Sequence, residues 1–188
     1  MLLLIAGLCL WAGAHLYPSL ASAHRKHVIE RLGIGPYKGL FAVTIIVSIV
    51  LIVLGWRSIE PVFIYRLSAV ARYLIFICVF LTAILFIAAR TRNSINRLLR
   101  HPQLTGVVLW SIGHLLVNGD NRSLLLFGGI GAWAVLEMFM INRREGKWIK
   151  PAPVSVRQDS LVIGGGVALF AVLWLLHPYL AGISISIR

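Results

Sequence analysis

The sequence predicts an all-α fold, a polytopic membrane helical bundle with about six transmembrane helices in a single domain over residues 1–188. Three observations carry this. Mean hydropathy is +0.88 and 59% of the residues are hydrophobic, above the roughly 45–50% apolar share of soluble domains. Six windows approach the roughly 17–25 apolar residues that cross a bilayer: residues 2–20, 39–56, 67–89, 104–117, 124–141 and 161–180. The formal net charge of +12 is concentrated in alternate connections between these windows, which is the layout of a membrane protein with one basic side.

Span one, 2–20, resembles a secretory signal at first sight, since Ala21-Ser22-Ala23 has the form of a cleavage site. A signal peptide carries positive charge before its apolar core. Here the charge follows, in "HRKHVIER", so the segment is expected to stay as an outward-starting span. The connection after it holds Arg25, Lys26, Arg31 and Lys38. Val28, Ile29 and Leu32 among those charges predict a short amphipathic helix on the membrane surface, ended by Gly33, Gly35 and Pro36.

Span two, 39–56, leads to a sparse connection with Arg57 and Arg66, and Arg72 lies just inside span three. Span three, 67–89, is followed by Arg90, Arg92, Arg97 and Arg100. Span four, 104–117, is the shortest and most polar, and only Arg122 separates it from span five. After span five come Arg143, Arg144, Lys147, Lys150 and Arg157, with Pro151 and Pro153 breaking any helix and Trp148 suited to an interface. Positive connections stay cytoplasmic. The expected location is therefore the inner (plasma) membrane, multi-pass, with both termini outside. Topology accounts for the charge, so nucleic acid is not an expected partner; membrane lipid is.

Gly128, Gly129, Gly131 and Ala132 in span five, and Gly164, Gly165, Gly166 and Ala168 in span six, are expected to form close helix seams. Cys9 and Cys78 fall inside spans as packing residues, with no zinc spacing. No inverted repeat or pair of broken helices suggests a transporter.

Of the six histidines, His24, His27 and His101 adjoin basic connections, and His177 precedes Pro178 near the outer interface. His15 and His114 differ: "LWAGAHLYPSL" and "LWSIGHLLVNG" place each among apolar residues. Ionisable side chains at membrane depth face a bundle interior or a functional site. In span four, Gly106, Trp110, Gly113, His114 and Val117 recur at helical spacing on one face. The two glycines are expected to leave a hollow for a flat aromatic cofactor, with Trp110 one turn from the imidazole. One reading of each histidine is a neutral ring bonded to a neighbouring helix. The other is a shared ligand. Imidazole suits iron, and haem iron takes axial histidine. Measured from Arg25 and Arg100 at 1.5 Å per residue, His15 lies about 15 Å deep and His114 about 21 Å, a difference that helix tilt accommodates.

At these residues the chain resembles the NnrU family, small polytopic membrane proteins associated with bacterial nitrite and nitric oxide metabolism, in a superfamily shared with zeta-carotene isomerase. The matching pieces are "HLYPSLASAHR", "RHPQLTGVVLWSIGHLLVNGD" and "LHP" at 176–178. In the isomerase branch the resemblance implies haem b held by histidines that correspond to His15 and His114, with His101 as the histidine of the "RHP" element. A second resemblance is to integral membrane isoprenylcysteine methyltransferases, whose "RHPxYxG" element helps hold S-adenosylmethionine. Here Leu104 stands at the tyrosine position and the later carboxylates are missing.

The expectation is a haem b protein with iron ligands His15 and His114, between spans one and four. Trp110, Gly106 and Gly113 are expected beside the macrocycle, and Arg100 and His101 near its propionates. It would act in, or support, nitrite and nitric oxide metabolism, with nitric oxide or another small molecule at the iron. The sequence names no catalytic residue.

Overall fold

The computed structural model describes residues 1–67 and 69–181. Among them the regular elements are helices: α1 (Leu2–Leu20), α2 (Ser22–Leu32), α3 (Ile34–Arg57), α4 (Ala69–Ala88), α5 (Ile95–Leu98), α6 (Pro102–Val117), α7 (Asn121–Glu145) and α8 (Val156–Ala181). Helices α1, α3, α7 and α8 are each long and apolar enough to cross a membrane, and α4 and α6 add two further apolar helices. The protein is thus an all-helical membrane bundle of about six spans. At 16 residues α6 is the shortest of these helices, about 24 Å long at 1.5 Å per residue. The expected outward placement of the chain's last residues falls on 182–188, which lie outside the described residues.

The chain forms two compact units. One comprises residues 1–65 and 118–147, the other the described residues of 66–117 and 148–181. In the first, α1 and α3 pack antiparallel. A Cβ on Gly55 would come within 2.6 Å of the Leu4 Cα, and one on Gly7 within 2.8 Å of the Ile52 nitrogen. Only glycine permits so close a backbone approach. Helix α7 lies on α1 in parallel: Gly129 faces Leu8, Trp133 meets Trp11, and Arg144 donates to the Ser19 hydroxyl at 2.9 Å.

The surface helix expected after span one is α2. It ends at Gly33, whose φ of +83° is available to glycine at no steric cost. Gly35 and Pro36 do not end it; they open α3. Proline is tolerated in a first turn because the N–H it lacks has no partner there. Arg25 fastens α2 to α3, donating to the Tyr37 hydroxyl at 3.2 Å.

The connection after α3 pairs with the residues that lead into α7. The Ile64 N–H donates to the Gly119 carbonyl at 2.7 Å and the Asn121 N–H to the Val62 carbonyl at 3.0 Å, around an antiparallel bridge between Phe63 and Asp120. Asp120 also caps α7, accepting from the Ser123 N–H at 2.9 Å and the Ser123 hydroxyl at 2.6 Å. Arg122 lies over the Trp56 ring, 4.5 Å from its centroid, and donates to the carbonyls of Trp56 and Ile59 at 3.4 Å.

In the second unit α4 packs against α6 and α8, antiparallel to both. The Thr82 hydroxyl is shared between the Cys78 carbonyl at 2.8 Å and, across the α4–α6 seam, the Gly106 carbonyl at 2.9 Å. Phe76 stacks on Trp174 at 5.0 Å and Phe80 meets Phe170 edge-on at 5.5 Å. Gly165 and Gly166 meet Ile87 and Ile84 and form a seam with α4, whereas Gly164 meets nothing within 4 Å. Within each unit these helix directions agree with the alternation read from the charges.

Candidate functional site: two membrane-depth histidines

His15 stands in the third quarter of α1. Its Nδ1 lies 2.9 Å from the Trp11 carbonyl oxygen, one turn earlier. A carbonyl only accepts, so Nδ1 carries the proton and Nε2 presents its lone pair. Three aromatic rings surround the imidazole: Trp11 at 4.4 Å, Trp133 of α7 at 4.9 Å and Phe41 of α3 at 5.4 Å. Helices α1, α3 and α7 thus supply one wall each.

His114 repeats the arrangement in the second unit. Its Nδ1 lies 2.8 Å from the Trp110 carbonyl oxygen, and the two rings are 4.7 Å apart at 48°. The tautomer is the same, again with the proton on Nδ1. The pattern W-x-x-x-H, in "WAGAH" and "WSIGH", therefore encodes one local device twice. In a helix the side chain leans back over the preceding turn, which brings the histidine Nδ1 to the carbonyl four residues earlier and the indole beside it.

The seven residues singled out from the sequence divide between the units. His15 belongs to the first. Arg100, His101, Gly106, Trp110, Gly113 and His114 belong to the second, on α6 and the residues leading into it. His101 accepts from the Thr105 N–H at 2.9 Å and the Thr105 hydroxyl at 3.0 Å, closing the first turn of α6. His101 and His114 are about 20 Å apart along α6.

The hollow expected beside Gly106 and Gly113 is filled. A Cβ on Gly106 would lie 3.0 Å from the Phe86 ring, and one on Gly113 2.9 Å from the Cys78 Cβ. Both glycines face α4 and allow its close approach; they clear no space for a macrocycle. Periodicity placed them on one face with His114, but it carried no information about what covers that face.

Four buried polar atoms among the described residues of the first unit have no hydrogen-bond partner: Trp11 Nε1, Trp133 Nε1, Glu137 Oε2 and, away from the histidine, Arg122 Nε. Trp133 and Glu137 are 8% and 7% exposed, one turn apart on α7. Sequence reading missed both, as it missed Phe41. The signal available was a carboxylate inside an apolar window, "AVLEMFM", which at membrane depth marks a functional position by default. Among the described residues no three histidine, cysteine or acidic side chains converge as a metal cage. The donors present are single imidazoles of fixed tautomer, one in each unit, which is the type of ligand that haem iron takes from a protein.

Fold and site together define an integral membrane helical protein with paired Trp–His elements at membrane depth. The model of the family described as NnrU protein matches residues 3–185. The chain belongs to the NnrU family. No curated protein and no solved structure matches it.

Proposed function

We propose that this NnrU-family protein binds haem b, draws its iron ligands from His114 and His15, and acts in or supports nitrite and nitric oxide metabolism. The observation that carries the reading is the Nδ1-to-carbonyl bond made by both histidines. A bond to the distal ring nitrogen is how proteins orient a metal-ligating imidazole and raise its basicity. Bound iron would supply one-electron redox chemistry and an affinity for small diatomic ligands. The chain's own contribution is to hold each ring in one tautomer and to line His15 with Trp11, Trp133 and Phe41, which exclude water. Arg100 and His101, at the start of α6, are the proposed partners of the propionates. The basic connections Arg90–Arg100 and Asn142–Ser160 are assigned to the cytoplasmic face of the inner membrane, in keeping with the charge asymmetry.

The test is optical. Full-length protein, expressed with ample haem and purified in mild detergent, is expected to give a reduced-minus-oxidised difference spectrum of b-type haem. A colourless preparation that also fails to take up added hemin would overturn the proposal.

A further inference from the structure

Helix α5 and the connection before α8 enclose an open cavity of ≈ 310 Å³ lined by Ser94, Arg97, Leu98 and Lys150. All four residues belong to the second unit. Arg97 Nε is buried there and has no hydrogen-bond acceptor. With no acceptor among the described residues, the guanidinium's charge is left unbalanced by protein. Among the described residues neither Arg97 nor Lys150 has a carboxylate partner. Lys150 instead sits 5.7 Å from the Trp148 ring, which leaves its three N–H donors available.

An acid of α8 is committed to Ser94. Asp159 accepts from the Ser94 N–H at 2.8 Å and the Ser94 hydroxyl at 2.7 Å. It fixes the start of α5, and hence Arg97 one turn later, without pairing with the two cations. Fork-like guanidinium with a lysine beside it is a donor set for phosphate oxygens. The rim identifies the source. Leu98 is 76% and Ile149 87% exposed, and apolar side chains of that exposure beside a basic site suit the acyl boundary of a bilayer. The volume also reaches the lower end of the roughly 300–1,000 Å³ range of ligand pockets, enough for a phosphoglycerol group.

We propose that this cavity is a binding site for the phosphate of an anionic phospholipid of the membrane leaflet it faces, held by Arg97 and Lys150. The site is independent of haem. Basic cavities at membrane-facing helix ends are suited to such headgroups.

The test titrates full-length detergent-purified protein with dioleoylphosphatidylglycerol, dioleoylphosphatidylcholine or sodium phosphate, and counts bound lipid by native mass spectrometry. Saturable phosphatidylglycerol binding in preference to phosphatidylcholine is expected. Arg97→Gln and Lys150→Gln should each weaken it on the order of tenfold, the scale of a lost charge-assisted hydrogen bond. Arg92→Gln, outside the cavity, should leave it unchanged. Lys150 lies in an extended connection, so its variant reads the site even if Arg97→Gln disturbs α5. The proposal is overturned if phosphatidylcholine binds equally. It is overturned too if Arg92→Gln matches Lys150→Gln, which would mean diffuse charge, or if free phosphate competes at the concentrations at which the lipid binds.

Discussion

The Nδ1 of His15 donates to the carbonyl of Trp11 at 2.9 Å while the two rings lie 4.4 Å apart, and His114 stands to Trp110 in the same relation. Because the acceptor is main chain, the imidazole orientation belongs to the helix and survives loss of the indole. His114→Ala should abolish or strongly reduce haem content with the protein still in the membrane. His15→Ala should do the same, or leave a five-coordinate haem with an altered spectrum. Trp110→Leu should retain haem. His24→Ala, a histidine bonded to Tyr17 on the exposed face of α2, is the control and should change nothing. An unaltered spectrum in both His15→Ala and His114→Ala removes the proposed ligands. If only His114 matters, the iron has one protein ligand and an open face, which favours binding of a gas such as nitric oxide.

Arg100→Gln separates two roles of one charge. A propionate partner predicts faster haem loss to an apo-acceptor protein with membrane insertion unchanged. Equal loss rates in variant and wild type would leave Arg100 as a topology charge alone.

Glycine seams give a stability contrast. Gly166→Ala places a Cβ 2.7 Å from the Ile84 Cα, whereas Gly164→Ala meets nothing within 4 Å. Overpacking against backbone costs about 1–3 kcal/mol. Thermal unfolding in detergent should therefore fall clearly for Gly166→Ala and stay near wild type for Gly164→Ala. Equal midpoints would contradict the seam geometry.

At the N-terminus of α7, Asp120→Ala removes the cap bonds to Ser123. A lost N-cap costs about 0.5–2 kcal/mol. Asp120→Asn, which keeps an acceptor oxygen, should recover most of the loss in the same unfolding measurement.

The topology predicts opposite behaviour for two insertions. A reporter active only in the cytoplasm should work in the 146–155 connection and fail in the 58–67 connection. The reverse pattern would invert the assignment.

Hydropathy and charge were sufficient to locate the spans, because burial in lipid leaves a composition signature that needs no partner. The helix ends were less legible. Pro36 opens α3 where its type suggested an ending, since its effect depends on which turn it occupies. Depth singled out His15 and His114. Their tautomers were also encoded, in the twofold W-x-x-x-H, but the pattern yields meaning only once side-chain direction in a helix is applied to it. What periodicity did not reveal was the identity of neighbours. Gly106 and Gly113 read as a hollow because Phe86 and Cys78, which fill it, come from another helix. Trp133, the indole that joins Trp11 at His15, lies about a hundred residues away in the chain.

That separation sets an order of assembly. The first unit is interrupted: its third long helix is made only after 66–117, part of the second unit, has left the ribosome. At roughly 5–20 residues per second, His15 spends on the order of ten seconds in the bilayer before Trp133 arrives. The α1–α3 contact through Gly7 and Gly55 needs no later residue, whereas the Trp133 wall of the imidazole needs α7. The aromatic enclosure of His15 is therefore a late event in biosynthesis, and a chain released before α7 would insert yet leave that enclosure open.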